Sequence, residues 1–274
     1  MKSNPKEFHG MTPLHMAAKE GRLDIVKSLV EQGVDFEIPD NYGMTPLHWA
    51  VFKGGLDVVK YLVEHRVNSI ICDKYGWTPI HFAALNGGLD VVKYLVDRGA
   101  DFKISDKIGM TPFHLAAFNG GLDIVKYLVE QDVDLKISDE YGWTPLHWAA
   151  LEGRLNIVKY LVKQDVDFKI SDKYGWTPLL WAVQKGRLDI VKYLVEQKGQ
   201  FKISHKEITT LLQLAAFRGG LDVVKYLVEQ GGNFKITDKT GRTPLDLAAQ
   251  EDKLDVVKYL VEQGADFKTP HKDG

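Results

Sequence analysis

The sequence predicts an all-α repeat solenoid of helix-turn-helix units joined by β-hairpin-like loops, and three observations predict it. First, Thr12-Pro13-Leu14-His15 recurs as Thr45-Pro46-Leu47-His48, Thr78-Pro79-Ile80-His81, Thr111-Pro112-Phe113-His114 and Thr144-Pro145-Leu146-His147, at intervals of 33 residues without an insertion. Self-similarity at a period of this length is the signature of stacked supersecondary units. Second, faded copies at Thr177-Pro178-Leu179-Leu180, Thr210-Leu211-Leu212-Gln213 and Thr243-Pro244-Leu245-Asp246 keep the same frame, so eight units run from Glu7 to Pro270. Third, no Pro/Gly/Ser-rich linker interrupts the frame, which argues for one continuous stack. The expected organisation is a tail at 1–6, a single solenoid at 7–270 (repeats 7–39, 40–72, 73–105, 106–138, 139–171, 172–204, 205–237 and 238–270), and a stub at 271–274 that fits the opening of a ninth turn.

Within the second unit, Asp40-Asn41-Tyr42-Gly43 reads as a tight turn with Gly43 at positive φ. Thr45 then suits a helix N-cap, and Pro46 suits the first helical position, where its missing N–H has no intrahelical partner to lose. The first helix is expected from about Pro46 to Lys53, ended by Gly54 in a left-handed conformation. The second helix, Leu56 to about His65, sets Leu56, Val59, Leu62 and Val63 on one stripe and Asp57 in its first turn, where the macrodipole favours an anion. Helices this short are marginal alone, so each pair must bury its stripe against neighbouring pairs. The glycines of Gly54-Gly55 and Gly87-Gly88 lack the spacing and lysine of a phosphate loop and read as helix-to-helix turns.

Composition narrows the function classes. A chain that is 45% apolar and 26% charged folds as a globular protein, and a formal charge of −2 supplies no field that would draw in nucleic acid or anionic lipid. The single cysteine, Cys72, cannot close an internal disulfide and suits a reducing compartment. The N-terminal residues lack the apolar core of a secretory signal, and no stretch is long and apolar enough to span a bilayer, so an intracellular, cytoplasmic protein is expected. Export as an effector without a cleaved signal would leave no trace in these residues.

The pattern Asp-x-x-Gly-x-Thr-Pro-Leu-His-x-Ala-Ala, followed by Gly and a Leu-Asp-Ile-Val-rich helix, resembles the ankyrin repeat across nearly the whole chain. The resemblance implies a binding scaffold and no enzyme, with no cofactor. The seventh unit departs from the pattern, because Ile208 replaces the turn glycine, Leu211 the proline and Gln213 the histidine. A distorted or mobile tip is expected there, and Lys198, standing where Gly33, Gly99, Gly231 and Gly264 close other second helices, weakens the junction leading into it. The eighth unit, with Asp246, Gln250, Glu251, Asp252 and Lys253, is polar in the manner of a capping repeat.

In ankyrin proteins the target contacts the hairpin tips and the end of the first helix on the concave face. Here those columns are apolar: Tyr42 and Met44, Tyr75 and Trp77, Ile108 and Met110, Tyr141 and Trp143, Tyr174 and Trp176 at the tips, with Phe52, Leu85, Phe118, Leu151 and Phe217 on the helices. Such a ridge across the second to sixth units predicts a protein-docking surface, since contiguous exposed apolar patches mark interaction sites. The alternative is that the ridge is covered between adjacent tips and serves stacking. After the sixth unit the columns turn polar, with Gln184, Lys185, Lys206, Glu207, Thr209, Arg218, Arg242 and Glu251.

Other chemistry is set aside. The histidines His15, His48, His81, His114 and His147 stand one unit apart, roughly 10 Å, too far for shared metal ligation. They are expected to hydrogen-bond within their own turns and to the adjacent loop. Cys72 lacks an activating partner. The lysine row Lys103, Lys136, Lys169, Lys202, Lys235 and Lys268 has acids in the same loops and reads as a solvated edge, with no nucleic acid as partner. One sharper alternative remains. Certain ankyrin domains read methyl-lysine through tryptophans at matching positions, here Trp143, Trp148 and Trp181 with Trp176 alongside; the acidic position is Leu151, leaving only Glu152. A third reading makes the array the targeting part of a protein whose catalytic domain lies elsewhere. The leading expectation is a monomeric, non-enzymatic scaffold for another protein. The near-identity of the units resembles ankyrin proteins of intracellular bacteria and protists, which extends the expectation to a host factor as partner.

Overall fold

The computed structural model describes residues 10–65, 70–86, 88–197 and 202–266. The expected tail at 1–6, the stub at 271–274, Lys198 and Lys268 lie outside the described residues. Sixteen α-helices are found among the described residues, in pairs: α1 Pro13–Lys19 and α2 Leu23–Glu31, α3 Pro46–Trp49 and α4 Leu56–Glu64, α5 Pro79–Asn86 and α6 Leu89–Asp97, α7 Pro112–Asn119 and α8 Leu122–Glu130, α9 Pro145–Leu151 and α10 Leu155–Lys163, α11 Pro178–Gln184 and α12 Leu188–Val195, α13 His205–Arg218 and α14 Leu221–Glu229, α15 Pro244–Gln250 and α16 Leu254–Glu262. The array is an all-helical repeat solenoid. The chain divides into two compact units, Met1–Pro145 and Leu146–Gly274.

In the first unit α1, α3, α5 and α7 pack successively in one layer, and α2, α4, α6 and α8 in a second. The eighth residue of each repeat supplies the core of the first layer, with Leu14, Leu47, Ile80 and Phe113 almost wholly buried, while Val59, Val92, Val125, Leu62, Leu95 and Leu128 fill the second. The same layering recurs in the second unit, α11, α13 and α15 against α10, α12, α14 and α16. Burial of both stripes is what lets helices of seven to nine residues persist.

Thr-Pro starts most first helices, and the histidine three residues on completes a reciprocal cap. The Thr45 backbone N–H donates to His48 Nδ1 at 3.0 Å, and the ring's other nitrogen, Nε2, bonds the carbonyl of Trp77 in the next repeat at 3.1 Å. His15 reaches Met44 O, His81 reaches Met110 O and His114 reaches Trp143 O in the same way, so both ring nitrogens of each are occupied. Each histidine thus joins its own helix start to the following tip.

Two features differ from the sequence expectation. Helix α3 passes into a π-helical turn at Ala50–Gly54, and the positive φ falls on Gly55 (85°) where the sequence placed it on Gly54. In the equivalent turn of α7 the first glycine, Gly120, carries it at 95°. The helical winding runs one residue further than in α7, over the same interval between helix starts; no local residue difference explains it. The seventh repeat has no hairpin tip. Helix α13 begins at His205 and runs through the positions where other repeats fold the turn, Thr-Pro start and first helix. The expected distorted tip is a continuous helix.

Candidate functional site

The tips of the first unit are built by aspartates. Asp40 Oδ1 accepts the backbone N–H of Tyr42 (2.8 Å) and of Met44 (3.0 Å), and Asp73 Oδ1 does the same for Tyr75 (2.8 Å) and Trp77 (2.9 Å), as Asp106 does for Ile108 and Met110. Each turn closes with a glycine at positive φ, Gly43, Gly76 and Gly109. The tips then bond to one another, Lys74 N–H to Tyr42 O (2.9 Å), Lys107 N–H to Tyr75 O (3.1 Å) and Glu140 N–H to Ile108 O (2.9 Å). A Cβ on Gly43 would stand 2.9 Å from the Lys74 nitrogen, so glycine is required both for the conformation and for the close approach.

Between three successive tips lies an open groove of about 520 Å³. It is lined by Tyr42, Met44, Tyr75, Trp77, Ile108 and Met110, with Phe82, Asp73, Asp106 and Lys107. Tyr75 is 58% exposed and Ile108 38%, Tyr42 and Trp77 are half-buried, and Met44 and Met110 are buried as its floor. Trp77 is held on two sides: its ring meets Phe82 edge-on at 5.1 Å and its Nε1 donates to Asp106 Oδ2 at 2.8 Å. The Lys74 ammonium lies 4.2 Å from the Tyr42 ring centroid and 5.0 Å from that of Tyr75. The histidines beneath are neutral by construction, since Nδ1 accepts from a backbone N–H and only Nε2 carries the proton. Burial pushes the His48 and His114 rings down to about 4, and lowers His81 and His15, against the opposing pull of the accepting carbonyls and nearby aspartates.

The remaining ridge residues do not line this groove. Phe52 packs at 5.9 Å against Phe82 and at 5.9 Å against Trp49, and is half-buried, as are Leu85 and Phe118. Tyr141 is exposed and Trp143 half-buried, both in the first unit. Leu151, Trp148, Glu152, Tyr174, Trp176 and Trp181 belong to the second unit. There Leu151 is buried, Tyr174 is 71% exposed, and Trp176 and Trp181 pack on each other with centroids 4.8 Å apart, tilted by 36°. Trp181 Nε1 donates to Asp172 Oδ2 at 3.1 Å, so this pair is tied into its own turn.

Sequence reasoning missed a second depression, of about 260 Å³, where α13 replaces the seventh tip. Phe168, Leu179, Leu180, Ile203 and Leu211 line it, and the Lys169–Glu207 ion pair at 3.1 Å crosses its rim, which takes Lys169 out of the solvated lysine row. The signal was present. Ser204-x-x-Glu207 is a capping box, with Ser204 Oγ accepting from Glu207 N–H while the carboxylate accepts Ser204 N–H at 2.7 Å, and Ile208, Leu211, Leu212, Ala215 and Ala216 follow at helical spacing.

A family model described as ankyrin repeats (3 copies) matches residues 1–73, 67–139, 113–207 and 200–271. No curated protein matches the chain.

Proposed function

The chain belongs to the ankyrin-repeat family, whose members are generally protein–protein interaction modules, and on that premise we propose that it is a non-enzymatic scaffold that docks a partner protein on the tips of its first unit. The groove between the Tyr42, Tyr75 and Ile108 tips carries this reading. It joins the exposed Tyr75 and Ile108 side chains to a floor of buried Met44 and Met110 within one groove. Aromatic side chains set in a fixed frame lose little freedom on binding, which is why Trp and Tyr anchor interfaces. The partner is a protein, and the histidines and the cysteine are assigned no catalytic part.

Tyr75→Ser combined with Ile108→Ser removes the exposed walls without touching the turn hydrogen bonds. Affinity capture with this variant should lose the partners held by the unaltered protein, with the far-UV circular dichroism unchanged. Capture that survives both changes would place the docking surface elsewhere.

A further inference from the structure

The outer oxygens of four turn aspartates accept side-chain donors. Asp40 Oδ2 accepts the indole N–H of Trp49 at 2.9 Å, Asp106 Oδ2 that of Trp77 at 2.8 Å, and Asp172 Oδ2 that of Trp181 at 3.1 Å. Asp238 Oδ2 accepts the guanidinium of Arg242, with Nη2 at 3.1 Å. Asp73 differs from these four: its Oδ1 holds the turn, but among the described residues no donor reaches Oδ2. The residue that would supply the indole, nine positions on, is Phe82 in place of a tryptophan, and the Trp77 indole turns to Asp106 instead. Asp73 is 6% exposed and lines the aromatic groove.

A carboxylate oxygen without a protein donor, in a groove lined by aromatic rings, can receive a cation, because a charge-assisted hydrogen bond adds to the attraction of the ring faces for positive charge. Two contacts within this protein show which cation fits. Arg242 demonstrates that the same oxygen of the same turn takes a guanidinium, and Lys74, over the faces of Tyr42 and Tyr75, shows that these rings accept positive charge. A guanidinium combines both contacts, since its edge donates to the carboxylate while its plane stacks on a ring; an ammonium lacks the plane. We propose that the groove takes an arginine side chain of the partner protein, paired with Asp73 Oδ2 and stacked among Tyr42, Tyr75 and Trp77, with Lys74 displaced from the ring faces on entry. This deepens the docking surface proposed above and rests on it.

The probe is N-acetyl-arginine amide, with the isosteric neutral citrulline compound as control. Methyl resonances of the methionines report, because Met44 and Met110 line the groove while Met11 and Met16 do not. The arginine compound should shift Met44 and Met110 saturably in the millimolar range, the citrulline compound should bind at least about tenfold more weakly, and Met11 and Met16 should stay still. Asp73→Asn preserves an acceptor for the turn and should weaken binding about tenfold or more. Phe82→Trp supplies the missing indole donor, as Trp49 and Trp181 do in their repeats, and should remove binding even if Asp73→Asn disturbs the fold. Equal shifts from the citrulline compound, no shift up to about 20 mM, or full binding by folded Asp73→Asn would each overturn the proposal. If the arginine compound fails while Tyr75→Ser/Ile108→Ser still abolishes partner capture, the arginine assignment alone falls; if capture also persists, the docking surface falls with it.

Discussion

Acid should unfold this protein through its cap histidines before its carboxylates. His48 and His114 are fully buried, and each is neutral because Nδ1 must offer a lone pair to a threonine N–H while Nε2–H donates to the next tip. Protonation would put a hydrogen on Nδ1 facing another donor and leave a charge without water. Both rings are therefore held down to about 4, against an ordinary value of 6.5. The sign follows directly. Between these values the unfolded chain binds more protons than the folded one, so the stability is complete above about pH 6.5 and is lost as pH falls towards 4. At pH 5 an unfolded ring is almost fully protonated and a folded one only about a tenth, which amounts to about 2 kcal/mol per histidine. Two such rings remove about 4 kcal/mol, a large share of the 5–15 kcal/mol typical of folded domains. The lowered His15 and His81 act in the same direction.

Urea denaturation followed by circular dichroism, at pH 7.5 and pH 5, isolates one ring when the protein is compared with His114→Gln. Glutamine is close to histidine in size and can still donate to the Trp143 carbonyl that His114 Nε2 meets. At pH 7.5 the variant should be less stable by about 1–2 kcal/mol through its poorer cap. At pH 5 the difference should shrink by about 2 kcal/mol, because the variant has no ring to protonate. Parallel loss of stability in the two proteins would refute the reasoning, since carboxylates common to both would then account for all the acid sensitivity.

Gly43→Ala and Gly175→Ala share φ of 81°, but a Cβ meets the Lys74 nitrogen at 2.9 Å in the first and no described atom within 4 Å in the second. Thermal melts should show the first more destabilising by about 1 kcal/mol or more, and equal losses would deny the tip-to-tip contact. Leu180→His should not restore a cap-to-tip bond, and should destabilise by about 1–3 kcal/mol in urea titrations by placing a ring nitrogen without an acceptor beside Phe168 and Leu211; a stabilised variant would contradict the helical seventh repeat. Ser204→Ala should weaken α13 by about 1 kcal/mol, read by amide exchange of that helix. Glu207 is lowered, burial opposing but the Ser204 and Lys169 contacts prevailing. Glu207→Gln should therefore destabilise at neutral pH and converge with the unaltered protein as pH falls through the folded-state value of the carboxylate; a gap that stays constant with pH would rule out that contribution.

Much of the fold is legible because the repeats carry their own local instructions. Thr45-Pro46 fixes a helix start, Gly43 a turn, and Val59 with Leu62 a buried stripe, each by chemistry confined to a few neighbours. The groove is legible only in part. Tyr75 and Met44 stand in columns that look alike in sequence, yet one is open to water and the other is floor. That difference depends on the adjacent tip, which the spacing within one repeat does not encode. The distinctive chemistry of Asp73 was readable in principle from Phe82 standing where Trp49 and Trp181 stand, but only once the indole-to-carboxylate bond is known to span those nine positions.

The seventh repeat shows why a strict frame misleads. Measured against a period of 33, Ile208, Leu211 and Gln213 are three separate losses, and Leu180 in the sixth repeat is a fourth. The structure makes them one change. A cap histidine at position 180 would need the carbonyl of residue 209, as His147 Nε2 meets Trp176 O at 3.1 Å, but residue 209 lies inside α13, where its carbonyl belongs to the helix's own ladder. Leucine is the residue that fits a site whose acceptor has gone. With Phe168, Ile203 and Leu211 it forms the apolar depression left by the missing tip, and Ser204 with Glu207 supplies the helix start that Thr-Pro supplies elsewhere. The loss of the histidine in one repeat and of the turn in the next are therefore linked through a single hydrogen bond, and restoring either residue alone should leave the other without its partner.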